Sequence, residues 1–205
     1  MRRRSFLQSA LAGFALLGLP PAALRASPPP GPRRRLPPRF EDVPAITGDG
    51  RSIVLPRADI EELARALRGR LLLGGDDGYE DARRVLNPDF DRHPALVVQA
   101  TGPTDVRLAV DFARDHGGVL LAVKCGGHSP SGQSTCDLGM VLDLSGYRAV
   151  RVDPERRRAW VSGGSLLGAV DHECLAHGLA VPLGTVSHTG VGGLVTGGGV
   201  RRIGR

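Results

Sequence analysis

An α+β fold is predicted by three observations along the 205 residues. Residues 96–123 run strand, helix, strand. The stretch after Gly139 breaks into short apolar segments separated by turns. A helical pattern over residues 165–177 then gives way to a glycine-rich run that begins at Leu183. Together they predict two small subdomains, a strand-helix-strand unit and an antiparallel meander with a helix.

At the N-terminus, Arg2, Arg3 and Arg4 precede an apolar stretch over residues 10–19, extended to Leu24, and the small pair Ala26-Ser27. This is the layout of an export signal and not of a stable membrane anchor. Arg3-Arg4-Ser5-Phe6-Leu7-Gln8 resembles the twin-arginine consensus. Residues 1–26 are therefore expected to engage the twin-arginine translocase and to direct the chain to the periplasm or the extracellular space. Residues 27–57 read as a Pro-rich, solvated tether carrying Arg33, Arg34 and Arg35, and residues 58–205 as the domain.

The formal charge of +6 shrinks once Arg2, Arg3, Arg4 and Arg25 leave with the signal, because 23 basic then face 21 acidic side chains, a balance of +2. With aromatics at only 4% as well, neither an electrostatic footprint nor a stacking platform for nucleic acid is expected. Cys125, Cys136 and Cys174 allow at most one internal disulfide, and none has C-x-x-C spacing.

Ile60, Leu63, Ala64 and Leu67 share one face of a helix predicted over residues 59–68, and a short apolar run follows over residues 71–73. Residues 79–86 read as a helix that stops before Asn87-Pro88. Residues 96–99 read as a strand. An amphipathic helix over residues 106–116 is expected next, capped by Thr104 or Asp105 and leaving through Gly117-Gly118. It leads to the apolar run V-L-L-A-V at residues 119–123, a buried strand with its ligand loop at the carboxyl end. The meander is assigned to residues 141–144, 149–152 and 158–162. The last helix is expected to turn Leu167, Val170, Cys174 and Leu175 inward and to end at Gly178.

Chemistry concentrates at residues 124–134, K-C-G-G-H-S-P-S-G-Q-S, where a single imidazole, His128, stands among small residues. Gly126 and Gly127 lack Cβ atoms, so their amides can close on phosphate oxygens; a tight structural turn would also explain a lone Gly-Gly pair. A dinucleotide fingerprint is not met, because Gly190-x-Gly192 has Val195 where a third small residue would stand. His172 and His177 imitate a zinc helix with one residue too many: spacing of five puts the imidazoles about 140° apart, against about 40° for four. Ser129 and Ser187 adjoin His128 and His188, but adjacent side chains diverge, and no G-x-S-x-G elbow is present.

V-K-C-G-G-H-S-x-x-G-x-S at residues 123–134, G-M-V-L-D-L-S at 139–145, V-x-G-G at 161–164 and P-L-G-T-V-S-H-T-G-V-G-G-L-V-T-G-G-G at 182–199 together resemble the FAD-linked oxidases of the vanillyl-alcohol-oxidase and berberine-bridge-enzyme type. The resemblance runs from about Tyr79 to Arg205. It implies the two-subdomain FAD-binding domain of that family, with FAD joined covalently to His128 through the C8 methyl of the isoalloxazine. It also implies that Lys124, Cys125, Gly126, Gly127, Ser129, Gly132 and Ser134 belong to the pyrophosphate loop. Thr185, Val186, Ser187, His188, Thr189, Gly190, Gly192, Gly193 and Gly198 would line the ring and ribityl chain.

Members with two covalent links carry a cysteine where this chain has Val186, which implies a single histidyl link. Two departures stand out: Cys125 replaces the first glycine of the usual run, and Arg201 replaces the last glycine of G-G-G-x-G. Relatives continue into a substrate domain that carries the catalytic base, so no catalytic residue is assigned here. This chain is expected to be the FAD-binding part of an exported oxidase acting on a small-molecule substrate, or else a non-catalytic binding module or truncated product.

Overall fold

The computed structural model describes residues 41–198. The export signal, most of the tether and Arg201 lie outside the described residues. Residues 41–57, assigned above to the end of the tether, are folded instead. β1 (Val43–Ile46) and β2 (Ser52–Leu55) form an antiparallel hairpin in which Val43 faces Leu55 and Ile46 faces Ser52. V-P-A-I and S-I-V-L bury alternate residues, Ala45 and Leu55, while Gly50 at φ +85° closes the turn.

α1 (Arg57–Ala66) follows, with Ile60 and Leu63 buried. β3 (Arg70–Leu72) then enters the main sheet. α2 (Tyr79–Arg83) is shorter than the predicted helix over residues 79–86, because Arg84 adopts an extended conformation and the amide of Leu86 donates to the carbonyl of Gly127 at 2.8 Å. β4 (Leu96–Gln99), α3 (Pro103–Asp115), β5 (Leu121–Lys124) and β6 (Met140–Asp143) complete the first subdomain.

α3 starts earlier than predicted, with Gly102 as its N-cap and Pro103 at its first position. Asp105 therefore sits inside the first turn. Its carboxylate accepts the amides of Arg68 (2.9 Å), Gly69 (3.2 Å) and Thr101 (2.9 Å) and the Thr101 hydroxyl (2.9 Å). Burial pushes its pKa up, but these bonds outweigh burial and hold it below the usual carboxylate value. The helix leaves through Gly117 and Gly118, both at φ +78°.

The sheet has the order β3-β4-β6-β5, and β6 pairs in parallel with both β4 and β5. This corrects the meander: residues 141–144 do not pair with the strands that follow but fill the gap between β4 and β5. The reason lies on both faces of the strand. Met140 and Leu142 pack with Leu96, Val98, Ile60 and Phe112 on one side, and Val141 packs with Val97, Ala122, Leu72 and Tyr79 on the other. A β6 so apolar on two faces needs neighbours on both edges and cover above and below.

β5 is an edge strand. Val123, expected to be buried, is 46% exposed.

The second subdomain is the antiparallel pair β7 (Val150–Asp153) and β8 (Arg158–Val161) with α4 (Leu167–Leu175) packed on it. Leu167, Val170 and Cys174 form its core with Val191, while Leu175, expected inward, is 66% exposed. Gly178 at φ +65° terminates the turn after α4. α5 (Val191–Gly197) ends the described chain. The α+β class with two subdomains holds, and all three cysteines are unpaired.

Candidate functional site

Two loops meet at the carboxyl end of β5. The first leaves Lys124, turns through Gly127 at φ +69° and Gly132 at φ +69°, and rests on the segment after α2 through the Gly127 carbonyl and through the Asn87 amide, which donates to the Pro130 carbonyl at 3.3 Å. Gly132 lies on the Phe90 ring, where a Cβ would come within 2.4 Å of it. The second loop, residues 185–193, is strapped to the start of α4 and to the loop before it. Leu167 and Gly168 donate to the carbonyls of Thr189 (3.0 Å) and Ser187 (2.8 Å), and Val191 and Gly192 donate to Ser165 (2.9 Å) and Gly163 (3.1 Å).

Where the loops cross, backbone touches backbone. A Cβ on Gly126 would lie 2.3 Å from the Gly190 nitrogen, and a Cβ on Gly190 would lie 2.2 Å from the Gly126 nitrogen. A Cβ on Gly192 would meet the Cys125 sulfur at 2.6 Å, and one on Gly164 would meet the Leu144 carbonyl oxygen at 1.7 Å. These glycines are fixed by close approach, not by conformation, since none has a positive φ.

Between the loops opens a cleft of about 750 Å³. Of the residues singled out in the sequence, Cys125, Gly126, Gly127, His128, Ser129, Ser134, Thr189, Gly190, Gly193 and Gly198 line it. Thr185, Val186, Ser187 and His188 stand outside the lining, although the His188 ring packs on His128 at 4.3 Å between centroids, tilted by 56°. Gly132 and Gly192 serve loop packing instead.

Lys124 is a correction. Its ammonium turns away from the cleft and donates to the carbonyls of Ala82 (2.5 Å) and Asp81 (3.3 Å), at the end of α2. Burial pushes its pKa down. The sequence reading missed Val123, Pro130, Ser131, Gln133, Leu194, Thr196 and Gly197 in the lining. The exposed Val123 was legible only as part of an apolar run.

Several polar groups at the cleft lack protein partners, although the Thr196 hydroxyl donates to the Gly192 carbonyl and the Ser129 hydroxyl accepts the Gln133 amide. Among the described residues, the amides of Gly126, Gly127, His128 and Ser129 donate to no backbone carbonyl. Nε2 of His128 and Oγ of Ser134 are buried without a hydrogen-bond partner, as is Oγ1 of the neighbouring Thr135. A buried polar atom left this way costs about 1–3 kcal/mol, so such a cluster marks a place where something else supplies the bonds. Burial, and then His188, push the pKa of His128 down, which keeps its imidazole neutral. The Cys125 thiol is pushed up by burial, partly offset by the Gly193 amide.

The sequence pattern of the FAD binding domain family matches residues 94–204, more than half of the chain. The chain belongs to this FAD-binding family. An FAD-linked oxidoreductase of Dictyostelium discoideum is 34% identical to it over 147 residues, 71% of this chain and 32% of that protein. (R)-6-hydroxynicotine oxidase of Paenarthrobacter nicotinovorans is 30% identical over 135 residues, 66% of this chain and 29% of that one. Among solved structures, glucooligosaccharide oxidase from Acremonium strictum, described as carrying a 6-S-cysteinyl, 8α-N1-histidyl FAD, superposes with a TM-score of 0.63 at 30% identity, covering 69% of this chain and 30% of that one. The chain thus spans about a third of the length of the relatives it matches.

The FAD-binding domain fits its cofactor on its own geometry. Amides on a glycine loop that donate to no carbonyl, those of Gly127, His128 and Ser129 clear of the Gly190 crossing, suit phosphate oxygens. The orphaned nitrogen of a neutral histidine suits an electrophilic carbon. The glycine-lined wall lets a flat ring system approach backbone.

Proposed function

We propose that this chain is the flavin-holding part of an exported FAD-dependent oxidase, with FAD attached through one covalent bond to His128. The observation that carries the reading is the buried, unpartnered Nε2 of His128 in the cleft. Gly126, Gly127, His128 and Ser129 would hold the pyrophosphate through their amides, with Ser134 beside them. Thr189, Gly190 and Gly193 would form the wall along the ribityl chain and ring. Val186 has no thiol, which supports a single link.

Bound there, FAD supplies hydride acceptance at N5 from a substrate C–H and reoxidation by dioxygen to hydrogen peroxide, chemistry that belongs to the cofactor. The residues of this chain bind and orient; the small-molecule substrate and its base belong to the portion of relatives this chain does not match. Export by the twin-arginine translocase follows from Arg3, Arg4, Phe6 and Leu7, and a covalent tether keeps the cofactor from being lost afterwards.

The test is chemical. The chain is produced in riboflavin-fed cells, precipitated with acid and digested with trypsin. The peptide of residues 125–148 should fluoresce and carry the mass of FAD less two hydrogens, and His128→Ala should abolish both. An unmodified peptide from flavin-replete cells refutes the covalent reading. A folded, colourless chain that also fails to bind FAD reversibly favours the alternative, a non-catalytic exported module.

A further inference from the structure

Among the described residues, no carboxylate bonds the His128 ring to fix its tautomer or orientation. Its Nε2 is buried and unpartnered, and the His188 ring packs against it, 4.3 Å away between centroids. His188 reaches this position because its loop is pinned on both sides, by Gly168 donating to the Ser187 carbonyl and Leu167 donating to the Thr189 carbonyl. Unlike His128, it is exposed.

We propose that His188 is the positioning residue of the attachment histidine: its ring, packed on His128, holds that imidazole in place and keeps a second charge off it. This rests on the reading of His128 as the attachment point.

Two imidazoles in contact do not both carry charge readily, so the packed pair disfavours charge on the buried His128 ring. Burial and His188 act on His128 in the same direction, toward the neutral form. The other ionisable groups around the pair do not take over this role. Lys124, at the end of β5, is spent on the α2 carbonyls. Cys125 is held as a thiol by burial. Asp143, on β6, accepts the Ser145 amide at 2.9 Å and the Gln99 side chain at 3.3 Å.

Attachment forms one N–C bond between His128 and the 8α carbon. One methyl C–H and the imidazole N–H are broken, two electrons and two protons pass to the isoalloxazine ring, and dioxygen carries them away as hydrogen peroxide. Only neutral His128 has the lone pair for this step, so whatever keeps it neutral in acid extends the pH range of attachment.

The experiment uses the full chain in four forms: wild type, His188→Phe, which keeps a ring and loses the proton site, His188→Lys, which keeps a cation and loses the ring, and His188→Asn as a small control. The first readout needs no flavin. Histidine ring signals are titrated by NMR, and in His188→Phe the His128 titration should move to higher pH, while His188→Lys holds it low. The second is covalent incorporation of added FAD. At about pH 5.5 His188→Phe should attach FAD about threefold more slowly than wild type or worse, and at about pH 8 the two should converge. Identical His128 titrations in wild type and His188→Phe would overturn the proposal, as would parallel attachment profiles. If wild type attaches no FAD at any pH, the attachment reading fails, and the titrations still decide whether the pair is coupled.

Discussion

Adding one methyl group at Gly126 should separate the two loops that make the cleft. A Cβ there would sit 2.3 Å from the Gly190 nitrogen, 2.7 Å from its Cα and 3.1 Å from the His188 carbonyl oxygen. An ordinary contact begins near 3.4 Å, so the backbones must part by roughly 1 Å, and all three atoms are backbone that no rotamer change can move aside. Overpacking of this kind costs about 1–3 kcal/mol.

The expected result for Gly126→Ala is therefore a urea midpoint lowered by that amount, with little change in slope, and loss of FAD binding, since the free amides lie on the displaced segment. Gly190→Ala strikes the same crossing from the other side, with its own Cβ 2.2 Å from the Gly126 nitrogen. The double variant should cost less than the two singles added, because a crossing already opened is not opened twice. Gly74→Ala, remote from the cleft and with nothing within 4 Å, is the control and should leave FAD binding and stability unchanged. Wild-type stability in Gly126→Ala, or strict additivity with Gly190→Ala, would refute the close-approach account.

Asp105→Asn should destabilise the fold by about 3 kcal/mol in chemical denaturation, because one carboxylate serves four donors at the start of α3 and an amide cannot. The folded pKa of Asp105 is lowered, so its stabilisation is present above the unfolded carboxylate value and disappears as pH falls through the folded one; the acid side of a stability-versus-pH curve should flatten in the variant. Lys124 has the same sign of linkage for a different reason, since burial depresses the folded pKa of a cation and the unfolded chain again binds more protons. Stability should rise with pH between its folded and unfolded values, and Lys124→Met should remove that rise without loss of FAD binding. Replacing Arg3 and Arg4 with lysines should leave precursor inside the cell, as cell fractionation would show.

Period-two and helical patterns carried much of the fold. β4, α3 and the exit through Gly117 and Gly118 were legible because each is decided by local alternation, periodicity or backbone conformation. β6 was not, because the choice between pairing with the next strand and slipping between β4 and β5 is made by distant residues such as Ile60, Phe112 and Tyr79. The hairpin of β1 and β2 was hidden behind the prolines that precede it.

At the site, the glycine loops and His128 were visible in the sequence, but the division of labour among the glycines was not. Gly126 and Gly190 serve a crossing between segments far apart in the chain. Lys124 was drawn into the site by its neighbours, and only the carbonyls of Asp81 and Ala82 explain where it points. Val123 and Thr196 reach the cleft by edge position and helix phase, which no motif records.

Because the loop at Gly126 is closed by Gly190, the clamp is assembled in two instalments 64 residues apart in the order of synthesis. The clamp therefore exists only once both loops are present, and neither half has a closed inner wall without the other.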